Sequence, residues 1–131
     1  MSQQDVELAR RAYEAWNEGG AEMLRQFLAE DFEFRDPPNL PDSRVVRGRD
    51  AAAAYLASQV EVIGDMKFTI VEVKERGRSV VLRMKLDVHG AGSGLVLPGE
   101  LMQVIEVAQG GIQRLRGFFE WEQALEAAAQ D

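Results

Sequence analysis

The segment SVVLRMKLDVH, residues 79–89, alternates its side chains with a period of two. Val80, Leu82, Met84, Leu86 and Val88 fall on one side, and Val81, Arg83, Lys85, Asp87 and His89 on the other. Only an extended strand brings every second residue to one face. A sheet with a continuous apolar face must therefore form, and other elements must cover it.

The residues before it supply that cover. DVELARRAYEAWNEGG places Val6, Leu8, Ala9, Ala12, Tyr13 and Trp16 at helical spacing, with Asp5 as its expected cap and Gly19-Gly20 as its stop. AEMLRQFLAE predicts a second short helix, with Met23, Leu24, Phe27 and Leu28 on one face. DFEFRD then switches to period two, with Phe32, Phe34 and Asp36 on one side. PPNLPDSRVVRG reads as loop, and RDAAAAYLASQVEVI as a third helix capped by Asp50. KFTIVEVKE pairs with residues 79–89 through the hairpin signal RGR. GAGSG precedes the strand ELMQVIEVA, the turn QGG leads into IQRLRGFFEW, and EQALEAAAQ closes the chain as a short helix.

This order predicts one α+β domain over residues 1–131. A cone-shaped, curved antiparallel sheet carries three N-terminal helices on its concave face, and a short C-terminal helix follows. The open end of such a cone is a natural small-molecule pocket. ELMQVIEVA is apolar on both faces, with Leu101, Ile105 and Val107 on one and Met102 and Val104 on the other. A strand of that kind needs cover on both sides. With helices expected on one side only, a homodimer through the outer sheet face is the expectation.

Composition narrows the partners. The net charge is −7, from 22 acids and 15 bases, which opposes binding to nucleic acid or anionic membranes. No cysteine is present, so disulfides, thiol nucleophiles and zinc–thiolate sites are excluded, and one histidine excludes a multi-imidazole site. No metal and no organic cofactor is expected. MSQQDVELARR lacks the apolar core of a signal peptide and no apolar run is long enough to span a bilayer, so a cytoplasmic location is the expectation.

AYEAWNEGGAEMLRQFLAEDFEFRDP, VRGRDAAAAYL and GGIQRLRGFFEWEQALEAA together resemble the nuclear transport factor 2-like superfamily in its SnoaL-like branch. The resemblance implies the cone fold and, more distantly, ketosteroid isomerases and polyketide cyclases. In the isomerases a carboxylate before a proline at the end of the first strand shuttles a proton, and Asp36 in RDPP matches it. Their oxyanion tyrosine falls on Ala12, with Tyr13 one residue, or about 100° of helix, away. Their oxyanion aspartic acid falls on Gln103, which is a weaker donor but needs no unusual pKa. Limonene epoxide hydrolases fit less well, because Lys85 and Asp87 alternate away from the apolar face and the third position is Gly117. In the cyclase comparison Glu120 stands at an acidic position, with Ile112, Arg114, Arg116 and Phe118 as its alternation partners, and both inward and outward readings stay open.

Asp36 thus admits two readings. Buried beside Phe32 and Phe34, it is a proton shuttle, with Gln103 as hydrogen-bond donor. Otherwise it is a turn starter bonded to backbone amides. Tyr13, Trp16, Phe32, Phe34, Tyr55, Leu115, Gly117 and Phe119 are the expected pocket wall, Gly117 leaving room, although aromatics at this spacing also serve as core. His89 reads as a surface or interface residue, and GAGSG lacks the lysine and helix of a phosphate loop. Two functions follow. One is a cofactor-independent isomerase, cyclase or dehydratase acting on a small apolar or partly polar ligand. The other is a non-catalytic ligand-binding or dimerisation module.

Overall fold

A computed structural model describes residues 2–89, 99–108 and 111–130. The chain runs α1 (Ser2–Leu24), a 3-10 turn (Arg25–Phe27), β1 (Leu28–Arg35), β2 (Val45–Arg47) and α2 (Arg49–Ile63). It continues through β3 (Asp65–Arg76), β4 (Ser79–His89), β5 (Glu100–Ala108), β6 (Gly111–Phe118) and α3 (Trp121–Ala129). The expected features GAGSG and most of QGG lie outside the described residues.

Gly20 has φ 71° and ψ −151°, so the helical backbone breaks at the expected stop and two helical segments meet there in a kink. A residue without Cβ takes that conformation without steric strain. The expected second short helix is the segment after this break, which ends in the 3-10 turn, and the strand already starts at Leu28. Neither expected cap acts as one. Asp5 and Asp50 both lie inside their first helical turns, and Gly48 precedes α2 with no side-chain cap. Asp50 instead accepts from Arg25 Nε at 2.7 Å, an exposed pair that contributes little to stability.

The six strands lie in the order β2-β1-β6-β5-β4-β3. The sheet is mixed rather than wholly antiparallel, because β1 pairs with β6 in parallel and every other pairing is antiparallel. Strand β2, expected as loop, is a three-residue edge that pairs Val46 with Phe34. A strand that short carries no period to detect.

Val80, Leu82 and Met84 meet α1 and β1 in the main core, as the alternation of β4 requires. The opposite face differs from expectation. Val81, Met102 and Val104 pack under Ala124, Leu125 and Ala128 of α3. Strand β5 is therefore covered on both sides by its own chain, and its doubly apolar pattern gives no reason for a second copy. No helix among the described residues is long and apolar enough to cross a membrane.

One set of polar bonds fixes α1 to the sheet. β3 is the outer strand of its edge, with unpaired backbone groups on one side. Asn17 satisfies Phe68 completely: its Nδ2 donates to Phe68 O at 2.7 Å, and its Oδ1 accepts from Phe68 N at 2.9 Å. Trp16 Nε1 donates to Met66 O at 2.8 Å, and Lys67 Nζ donates to Asn17 O. Helix and strand edge are joined as a strand neighbour would join them. Asn17→Ala removes two of these bonds and is expected to lower unfolding stability by about 1–3 kcal/mol, read as the urea midpoint. An unchanged midpoint would contradict the assigned role.

Candidate functional site

Between α1, α2 and the concave face of the sheet lies a cavity of about 120 Å³. Its wall is almost wholly apolar. Ala12, Trp16, Leu24, Ile112 and Leu115 of this wall are buried, whereas Asp36, Leu40, Gln59 and Ile63 are partly exposed. Asp36 is the one charged side chain among the described wall residues.

Asp36 sits immediately after β1, where the chain turns into the loop leading to β2. Its backbone N–H donates to Arg44 O at 3.0 Å, and Arg44 N donates back to Asp36 Oδ2 at 3.2 Å. Ser43 Oγ donates to Asp36 O at 3.3 Å. The turn reading is thus realised. The carboxylate nevertheless lines the cavity, and Tyr55 of α2 donates its hydroxyl to the same Oδ2. Neither bond uses Oδ1. The two readings of Asp36 hold together in one geometry.

Tyr55 itself is not a wall residue. Its ring packs on Phe34, with centroids 5.9 Å apart, and this directs the hydroxyl at Asp36. Partial burial, then the bond to Asp36 and its negative charge, push the Tyr55 pKa far up. The phenol stays protonated and remains a donor.

Tyr13 and Gln103 are 7% exposed each, and both line the cavity. Burial pushes the Tyr13 pKa far up, so its hydroxyl also stays neutral. The helix turns about 100° between Ala12 and Tyr13, yet both reach the wall, where the Tyr13 ring meets Phe68 edge-on at 5.7 Å. Neither Tyr13 Oη nor Gln103 Oε1 has a hydrogen-bond partner among the described residues. A buried polar atom left so costs about 1–3 kcal/mol of stability.

Among the other expected wall residues, Trp16, Phe34, Leu115, Gly117 and Phe119 line the cavity. Phe32 does not: it is fully buried in the main core. Gly117 does not simply leave room. A Cβ there would stand 3.0 Å from Pro37 Cγ and Cδ, so the missing side chain is the seat of Pro37, next to Asp36. Ile112 and Arg114 alternate together in the sequence but do not share a face. A register shift between Glu106 and Val107 takes the strand from the Glu106–Arg114 pair to Val107–Ile112, turning Ile112 inward. Met66 and Phe68 of β3 are wall residues that the sequence reading missed, along with the clamp residue Asn17. Lys85, Asp87, His89 and Glu120 are exposed and outside the wall. Among the described residues, no cluster of three or more His, Asp or Glu side chains is placed to hold a metal ion.

A SnoaL-like domain family model matches residues 9–115. None of the curated proteins matches the sequence. Solved structures share the fold. Bal32a, from a soil-derived mobile gene cassette, is similar with TM-score 0.76 and 21% identity, over 96% of each chain. TerC, co-crystallised with polyporic acid, has TM-score 0.75 and 18% identity, over 98% of this chain and 99% of its own. A candidate SnoaL-like polyketide cyclase from Jannaschia sp. has TM-score 0.72 and 21% identity, over 98% of this chain and 94% of its own.

The Pro37 seat gives a direct test of the wall geometry. Gly117→Ala forces Pro37 and the loop at Asp36 to move, and is expected to lower stability by about 1–3 kcal/mol. A denaturation midpoint equal to that of the unsubstituted protein would show that the seat is not tight.

Proposed function

Because the chain belongs to the SnoaL-like domain family, we propose that it is a cofactor-independent acid–base enzyme of the isomerase, cyclase or dehydratase kind. Asp36 moves a proton at a carbon next to the carbonyl of a small, mainly apolar ligand. The observation that carries this reading is a lone carboxylate in an otherwise apolar cavity wall. The co-crystallisation of TerC, a protein of the same fold, with polyporic acid supports a small-molecule role.

In the proposed step, Oδ1 of Asp36 takes a proton from the ligand carbon. The C–H bond breaks, an O–H bond forms, and the electron pair moves onto the carbonyl oxygen. Tyr55 and the Arg44 amide hold Oδ2, so the attacking oxygen is fixed rather than free to rotate. The growing charge on the ligand oxygen needs a donor in the same low-dielectric space, and the side-chain amide of Gln103 supplies one. The protonated Asp36 then returns the proton at a second position, which completes an isomerisation or cyclisation. A second copy of the chain is not needed for any of these roles.

A non-catalytic binding module is the second reading, favoured by the bond from the Arg44 amide, which is sufficient reason for an aspartate at this turn. One experiment separates the two. Solvent deuterium uptake next to the carbonyl of small cyclic ketones, followed by NMR, is expected with the unsubstituted protein. Asp36→Asn is expected to slow it by about 10²–10⁴-fold. Tyr55→Phe is expected to slow it by about tenfold, since it loosens the base without removing it. Equal uptake with Asp36→Asn would remove Asp36 as the base, and ligand binding without uptake would favour the binding module.

A further inference from the structure

Asp36 brings to the cavity wall a negative charge that no side chain of the wall neutralises. No lysine, arginine or histidine is among the described wall residues. Arg35, next to it in the chain, is bound through Nε to Glu33 at 2.6 Å. Arg44 is exposed and gives Asp36 its backbone amide, and the charge it brings to this corner is opposed by that of Asp42. Among the described residues Asp36 makes no ion pair.

Both hydrogen bonds to the carboxylate end on Oδ2. Oδ1 has none. Unlike Tyr13 Oη and Gln103 Oε1, it is not sealed off from a water-sized molecule. It is an anionic acceptor open to an incoming donor.

The rest of the wall suits a hydrocarbon body. Tyr13, Trp16, Phe34, Phe68 and Phe119 make much of it aromatic, and aromatic side chains near a cation add to its attraction. The cavity of about 120 Å³ is a little smaller than the apolar cavity of about 150 Å³ that admits benzene, so that body is at most one ring.

We infer that the cavity binds a small hydrophobic ammonium ion, a protonated primary amine with no more than one ring. Its N–H donates to Asp36 Oδ1, and its carbon body lies against the apolar wall. A hydrogen bond between two ionised groups is about twice as strong as one between neutral groups, so the ammonium ion outbinds an alcohol of the same shape. An anion of that shape meets the charge of Asp36 with no cation in the wall to offset it. The ammonium ion takes the oxygen that removes the proton in the reaction proposed above, so it excludes the ketone. This inference rests on the cavity being the ligand site, as proposed above, but not on Asp36 transferring a proton.

Benzylamine, benzyl alcohol and benzoate, each one ring with one polar arm, test it by calorimetry at neutral pH. Benzylamine is expected to bind about tenfold more tightly than benzyl alcohol and to displace it, and benzoate about tenfold more weakly than the alcohol. Asp36→Asn is expected to bring benzylamine level with benzyl alcohol while the alcohol still binds. Should that variant fail to fold, the order of the three probes and the displacement on the unsubstituted protein decide alone. Benzylamine binding no more tightly than benzyl alcohol would overturn the inference and leave the cavity as ligand site. A preference for benzylamine that persists in Asp36→Asn would also overturn it. Binding of none of the probes would overturn both. The expected order of binding without deuterium uptake by any ketone would overturn only the acid–base reading.

Discussion

The bonds between Asn17 and Phe68 are the constraint on which the site depends. An amphipathic helix on a curved sheet is ordinarily held by side-chain packing, which draws the two surfaces together and removes free volume. Here the helix is also pinned at the edge strand by directional bonds from Asn17, Trp16 and Lys67. Those bonds set the separation of α1 from β3. Within it Ala12 is too small to fill the centre, and Tyr13 and Trp16 pack against Phe68. The result is a fixed hollow under the helix. Without the pins, α1 could settle onto the sheet and close it.

The same logic places the carboxylate. A lone charge in an apolar wall is unfavourable unless hydrogen bonds hold it. Asp36 receives two on one oxygen, from the Arg44 amide and the Tyr55 hydroxyl. Pro37, directly after it, rests where Gly117 has no side chain. Three separate segments thus fix one side chain: the loop before β2, helix α2 and strand β6. An oxygen held in this way is oriented before any ligand arrives, which is what proton transfer requires.

Much of this was legible in the sequence. The alternation of Val80, Leu82 and Met84 gave the concave core face, and the change of period at Phe32 gave the first strand, because burial on one face leaves a period of two. Asp36 stood out by its place between an aromatic alternation and two prolines. What escaped depended on contacts between distant segments. Tyr55 lies 19 residues from Asp36 and Asn17 lies 51 from Phe68, and neither has a local pattern that names its partner. The side of Ile112 stayed open because one register shift inverts every inference from alternation beyond it. The cover of β5 escaped for another reason: a short alanine-rich helix gives no sign of the face on which it docks, and α3 took the face assigned to a second copy.

The central claim is that one oriented carboxylate faces the reacting carbon of a small ligand held in the apolar cavity. A crystal structure with a small cyclic ketone bound tests it most directly. The account predicts the ketone in the cavity, with the carbon next to its carbonyl within about 3.5 Å of Asp36 Oδ1. A ligand seated elsewhere, or an Asp36 carboxylate turned out of the cavity with the ligand in place, would contradict it.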